Sequence, residues 1–213
     1  HLLTRSMQKT GETNKVVILV ATSGDTGKAA LEGFADVPGT QIIVFYPSEG
    51  VSDIQKQQMI TQAGKNVKVF GIEGNFDDAQ RGVKEIFGNT ALSDELEKKG
   101  YTFSSANSIN WGRLVPQIVY YFSAYVDAIK AGKITAGQPI NFVVPTGNFG
   151  DILAGYYAKL MGLPIDRLLC ASNSNNVLTD FINTGVYDRR REFYKTVSPS
   201  MDILVSSNLE RLL

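Results

Sequence analysis

Val16-Val17-Ile18-Leu19-Val20-Ala21-Thr22-Ser23-Gly24-Asp25-Thr26-Gly27 decides the fold. Val16 to Ala21 is an unbroken apolar run, which predicts a strand buried on both faces. Short hydroxylated residues and two glycines follow, and Thr26 to Phe34 then reads as a helix. The same order recurs later. Phe142-Val143-Val144 runs into Pro145-Thr146-Gly147-Asn148-Phe149-Gly150-Asp151, and Asp151 to Met161 reads as a helix. A helix N-terminus presents unpaired N–H groups and the positive end of its dipole, and glycine lets an anion approach the backbone closely. The chain therefore carries two candidate anion cradles. They suit a small substrate or cofactor with two anionic groups.

Strand and helix patterns alternate outward from these loops. Gln41 to Tyr46 reads as a buried strand ended by Pro47, and Asp53 to Ala63 as a helix stopped by Gly64. Val67 to Ile72 is a third strand. Asn75 or Asp77 caps a helix to about Phe87, with Ala79, Val83 and Phe87 on one face. Thr102 to Ser104 is a short strand. Leu114 to Lys130 is a long helix with Leu114, Ile118, Phe122, Tyr125 and Ile129 inward. The pattern restarts with a strand at Ile140 to Val144, a strand at Leu168 to Ala171, and a helix at Val177 to Asn183 stopped by Gly185. Such alternation predicts an α/β protein with open parallel sheets, flanking helices and right-handed crossovers. Ligands then sit at the carboxyl ends of strands, where both loops fall. The long helix marks a boundary between two lobes, residues 1–113 and 114–213.

Composition narrows the function. The chain has 213 residues, with 21 Lys and Arg against 21 Asp and Glu. That balance argues against a nucleic-acid or membrane-surface partner, which requires a basic face. Asp188-Arg189-Arg190-Arg191-Glu192 reads as a solvated helix face. No apolar stretch approaches the ~20 residues of a membrane span, and no signal peptide is visible. One cysteine and one histidine exclude a Cys/His metal cluster and a disulfide framework, which suits a reducing cytoplasm. Cys170, in an apolar run, reads as a small core residue. Leu2, Leu3 and Met7 at helical spacing read as the last turns of a helix stopped at Gly11, and Ser207 or Asn208 as the cap of a helix just begun. The chain thus reads as the middle of a longer protein.

Gly27-Lys28 invites comparison with a nucleotide-phosphate loop, but Thr22 stands where that motif requires Gly, and Ala29 where it requires Ser or Thr. The dinucleotide pattern is absent from both loops. Each loop also has a plain structural reading, as a tight connection whose Ser or Asn caps the next helix. Thr22, Ser23 and Thr26 offer hydroxyls to a carboxylate, while the Gly147 to Gly150 spacing wraps N–H groups around a phosphate. Phe149 is either core filler or a wall beside a flat ring.

Ala21 to Gly27 resembles the substrate-binding loop of fold-type II pyridoxal phosphate enzymes, and Gly147-Asn148-Phe149-Gly150 resembles their phosphate-cradling loop. Together with Ser105-Ala106-Asn107-Ser108-Ile109-Asn110-Trp111-Gly112-Arg113 and Val197-Ser198-Pro199-Ser200-Met201-Asp202-Ile203, the chain resembles the threonine synthases over nearly its whole length. The resemblance implies two lobes of the tryptophan synthase β-like architecture. It implies Gly147, Asn148, Phe149, Gly150 and Asp151 around the phosphate of pyridoxal phosphate. Thr22, Ser23, Gly24, Asp25, Thr26 and Gly27 would hold the substrate carboxylate. Asn107, Asn110 and Arg113 would meet the phosphate of O-phosphohomoserine; capping by either Asn, with Arg113 solvated, is the structural alternative. Many relatives carry Asn where this chain has Asp25, and that Asn commonly contacts the cofactor's phenolic oxygen; two negative oxygens would repel, so the resemblance implies that Asp25 is protonated, turned away or bonded differently. The Schiff-base lysine, normally in a Phe-Lys-Asp context upstream of the first loop, is absent from this chain, so no catalytic residue is assigned. The implied enzyme is a carbon–oxygen lyase of threonine biosynthesis, a cytoplasmic protein without nucleic-acid or membrane partners. A serine or threonine dehydratase, a cysteine synthase and a non-catalytic anion-binding module remain as alternatives.

Overall fold

A computed structural model describes residues 2–22, 24–107 and 110–213. Its chain divides into two compact units, His1–Asn107 and Ser108–Leu213.

The first unit is built on a four-stranded parallel sheet. Its strands are β1 (Lys15–Ala21), β2 (Thr40–Pro47), β3 (Val67–Ile72) and β4 (Tyr101–Ser105), in the order β3-β2-β1-β4. The central β1 aligns Val16 with Thr40 on one side and with Thr102 on the other. Side chains alternate across a strand, so β1 serves two cores at once. Val16, Ile18 and Val20 face Ala30, Leu31 and Met59, backed by Leu3 and Met7. Val17, Leu19 and Ala21 face Ala79 and Val83, backed by Phe76 and Phe87. The helices that supply these faces are α1 (Leu2–Thr10), α2 (Asp25–Phe34), α3 (Asp53–Ile60) and α4 (Phe76–Gly88).

Local chemistry sets their ends. Asn75 caps α4, accepting from the Asp78 N–H while the Asp78 carboxylate accepts from the Asn75 N–H. The helix α3 ends at Ile60, short of the expected Ala63, with Thr61 as its C-cap. A further helix, α5 (Thr90–Lys98), is capped by Asn89; its mostly polar sequence offers little periodicity to read. Pro47 lies inside β2 at its last position, where it aligns with Ile72.

The second unit pairs β5 (Ile140–Pro145) with β6 (Ile165–Ala171) in parallel. Helices α6 (Trp111–Lys130), α7 (Gly150–Leu160) and α8 (Val177–Thr184) close a core around Leu114, Tyr121, Tyr125, Val144, Leu153 and Val177. The sequence pattern misses Tyr121, which meets Phe142 edge-to-face at 4.8 Å. Gly155 is what lets α6 and α7 approach: a Cβ there would stand 2.6 Å from the Tyr121 ring. Gly185 ends α8 in the left-handed conformation.

Two expectations fail here. The Asp188 to Glu192 run is not helical; Arg190 pairs with Asp188, and Arg191 reaches Asp180 on α8 at 2.7 Å. The final residues form a 3₁₀ turn at Leu209–Arg211, and the Asn208 side chain does not cap it because it is bonded elsewhere.

Candidate functional site

In the first unit the loop after β1 is organised by Thr22. Its side chain is 1% exposed, and its Oγ1 accepts from the N–H groups of both Gly24 and Gly27 at 2.9 Å. The expectation that this hydroxyl faces a ligand is corrected: burial and two donors commit it to shaping the turn. Gly24 has φ +144, and a Cβ there would lie 2.4 Å from Gln55 Cδ; a Cβ on Gly27 would lie 2.5 Å from Thr22 Cγ2. Both glycines admit neighbouring side chains.

Asp25 begins α2, and its Oδ1 accepts from Gln55 Nε2 at 2.8 Å. Gln55 is itself buried and locked by a capping box with Ser52. The departure at Asp25 is thus resolved as a carboxylate bonded differently. The sequence reading missed Gln55, although Ser52-Asp53-Ile54-Gln55 is a capping-box signature placed before a helix. Thr26 is half-buried at the first turn of α2, and neither its N–H nor its hydroxyl has a hydrogen-bond partner among the described residues. It is the group best placed to meet a carboxylate. Ser23 lies outside the described residues.

Asn107 turns out to be an extension of the sheet. Its Oδ1 accepts from Ala21 N–H at 3.1 Å, and its Nδ2 donates to Ala21 O at 2.7 Å. This bidentate bond replaces a ladder partner at the end of β1, a structural role beside the expected phosphate contact. Lys28 binds Glu32 at 2.9 Å and also Gln62.

In the second unit Asn110 caps α6, its Oδ1 accepting from Gly112 N–H at 2.9 Å. Arg113 is half-buried one turn into the same helix. Ser108 and Ile109 of the same motif lie outside the described residues.

The Gly147 to Gly150 loop joins β5 to α7. Phe149 stands at the α7 N-cap in the left-handed conformation, φ 68 and ψ −1, unusual for a bulky residue. Its ring is 7% exposed within the core, so it is filler, and only its backbone faces the loop. The N–H groups of Gly147 and Phe149 donate to no described residue. Gly150 N–H makes only a long 3.4 Å contact with Asn148 Oδ1. A Cβ on Gly147 would meet Ile203 at 2.9 Å, and one on Gly150 would meet Asn208 at 3.3 Å. These glycines admit the chain behind the loop, a correction to the view that they clear space for an anion.

Asp151 lies in the first turn of α7 and accepts from Tyr121, whose hydroxyl also donates to Asp151 O at 2.9 Å. Burial pushes the Asp151 carboxyl above the usual carboxylate range, against the opposing effect of the Tyr121 hydrogen bond. Burial, with the Asp151 charge beside it, pushes the Tyr121 phenol up. Burial likewise raises the Cys170 thiol, consistent with an inert strand residue. The loop fits a phosphate monoester: the Gly147 and Phe149 N–H groups have no acceptor among the described residues and lie at the positive end of a helix.

A polar knot stands behind this loop. Asn173, just past β6, donates to Thr196, Ser198 and Asp202, and Asn175 donates to Tyr194 O and Asp202. Thr196 N–H and hydroxyl both bind the Asp202 carboxylate. Among the described residues no metal-binding group of His, Cys, Asp and Glu occurs, and no helix is long and apolar enough to cross a membrane.

No protein-family model matches the chain. Its fold is that of the fold-type II pyridoxal phosphate enzymes. It superposes on the pyridoxal phosphate-bound threonine synthase of Brucella melitensis with a TM-score of 0.81 and 44% identity, covering 99% of this chain and 43% of that one. Within that class its sequence is homologous to the threonine synthases and threonine synthase-like proteins. Identity is 46% over 213 residues with threonine synthase of Pseudomonas aeruginosa, covering 100% of this chain and 43% of the relative. It is 53% over 202 residues with threonine synthase-like 1 of Pongo abelii, covering 92% and 27%. The chain spans less than half the length of these relatives.

Proposed function

We propose that this chain supplies the substrate loop and the cofactor-phosphate loop of a pyridoxal phosphate-dependent threonine synthase, which converts O-phosphohomoserine and water to threonine and phosphate. The Gly147 and Phe149 N–H groups, without a described acceptor at the start of α7, are the observation that carries the reading. The homology narrows the enzyme class. The two lobes correspond to the compact units at residues 1–107 and 108–213, a boundary just ahead of the long helix rather than within it, and the setting is cytoplasmic, which suits the free thiol of Cys170.

When bound, pyridoxal phosphate supplies an electron sink for negative charge at the substrate's α and β carbons. This chain's residues bind and orient. The N–H groups of Gly147, Asn148, Phe149 and Gly150 hold the cofactor phosphate, and the α7 dipole adds to their attraction. Asp151, at the start of the same helix, is held by the Tyr121 hydroxyl. Thr26, with Gly24 and Gly27 shaped by Thr22, takes the substrate carboxylate at the start of α2. Gln55 holds the Asp25 carboxylate in a hydrogen bond, which lowers its repulsion toward that anion. Arg113, on the helix capped by Asn110, supplies charge for the leaving phosphate.

The test is turnover by the intact protein that contains this chain. Threonine and phosphate should form in equal amounts from O-phosphohomoserine, with no deamination of serine or threonine and no use of sulfide. Preference for any of those substrates overturns the reading. The segment by itself is expected to bind a phosphate monoester without turnover, and borohydride should fix no stoichiometric lysine adduct of pyridoxal phosphate.

A further inference from the structure

Two carbonyls of the 147–150 loop are tied from behind. Gly147 O accepts from Ser206 Oγ at 2.5 Å. Asn148 O accepts twice from Asn208, from its N–H at 3.1 Å and from its Nδ2 at 3.2 Å. Asn208 is fully buried and Ser206 is 5% exposed. Ile203 fills the space behind Gly147. The same stretch is anchored at its other end by Asp202, which Asn173 and Thr196 hold at 2.7 Å.

The peptide bonds here are trans. In a trans unit the C=O of one residue points opposite to the N–H of the next. Pinning Gly147 O on Ser206 therefore aims the Asn148 N–H away from the tail. Pinning Asn148 O on Asn208 aims the Phe149 N–H the same way. The left-handed Phe149 then turns the chain into α7, and a left-handed residue beside right-handed ones is the backbone geometry from which N–H cradles for anions are built.

We infer that Ser206 and Asn208 are positioning residues that preset the affinity of the 147–150 loop for a phosphate monoester by fixing two of its peptide planes. The inference rests on the proposed reading of this loop as the holder of the cofactor phosphate. Neither residue touches the ligand. Their effect is to remove the rotation that a free loop would have to suppress on binding.

The experiment titrates the full chain, labelled with ¹⁵N, with inorganic phosphate and with pyridoxal phosphate, following the Phe149 amide. Ser206→Ala should raise the midpoint for both probes about five- to tenfold, the worth of one buried hydrogen bond. Ser206→Thr, which keeps the hydroxyl, should stay within about threefold of wild type on the same scale. Asn208→Asp, which removes the side-chain donor, should cost more than Ser206→Ala. Thermal midpoints without ligand are recorded alongside. A fall in stability with unchanged phosphate midpoints overturns the inference, as does a Ser206→Thr loss equal to that of Ser206→Ala. If Asn208→Asp does not fold, the Ser206 pair decides alone. A wild-type loop that responds to neither probe overturns the phosphate reading itself. A responding wild type with variants that titrate alike overturns only the positioning role.

Discussion

The two strand-to-helix loops are held by opposite kinds of bonding. At residues 22–27 a buried side chain, Thr22, takes backbone N–H groups out of play, leaving Thr26 as the described group with uncommitted donors. At residues 147–150 the carbonyls of Gly147 and Asn148 are taken out of play, by Ser206 and Asn208, while the Gly147 and Phe149 N–H groups donate to no described residue. The first arrangement is local, with partners two and five residues apart; the second joins partners 59 and 60 residues apart. On the proposed reading the first loop takes a carboxylate and the second a phosphate.

The comparison breaks most readily at its glycines. Gly24→Ala forces a side chain into φ +144 and against Gln55 at 2.4 Å. It should cost ~2–4 kcal/mol in urea unfolding of this chain. Gly150→Ala meets its nearest neighbour only at 3.3 Å and should cost under ~1.5 kcal/mol, so equal losses would contradict the contrast.

Thr22→Val keeps the shape and removes the acceptor of two buried N–H groups. It should cost ~1–3 kcal/mol by the same measurement. A neutral result would show that Thr22 does not organise the first loop. Gln55→Leu leaves Asp25 without its amide donor and should cost ~1 kcal/mol while keeping the first unit folded, as circular dichroism and a denaturant midpoint would show.

The smallest effect concerns pH. The Asp151 carboxyl is raised in the folded state, so the folded chain holds that proton more tightly than the unfolded chain. Its contribution is fully present below the ordinary carboxylate value. It is lost as pH rises through the raised value. Thermal midpoints of wild type should therefore fall relative to Asp151→Asn across that interval and run parallel above it. Parallel curves throughout would remove Asp151 from the account.

Much of the fold is legible in the sequence, because the decisive signals are local. The run at Val16 to Ala21 is buried on both faces as its composition demands, and Ala79 and Val83 lie on the inward face that their spacing defines. Helix α5 is missed because a polar helix has no apolar stripe. At the candidate site, the loop positions are legible and the bonding is not. Asn107 looks like a ligand or a cap in sequence; only the sheet shows that Ala21 needs a partner there. Asn208 reads as an ordinary cap residue and Ser206 carries no signal, because nothing local marks their contact with Asn148 and Gly147. Gln55 was within reach, since its capping box is written in four consecutive residues.

The most direct measurement is a map of backbone amide shifts when pyridoxal phosphate is added to this chain. The account predicts that the largest changes fall on Gly147, Asn148, Phe149 and Gly150, and that inorganic phosphate reproduces them. Largest changes elsewhere, or none at these four residues, would contradict the claim that this loop is the phosphate cradle.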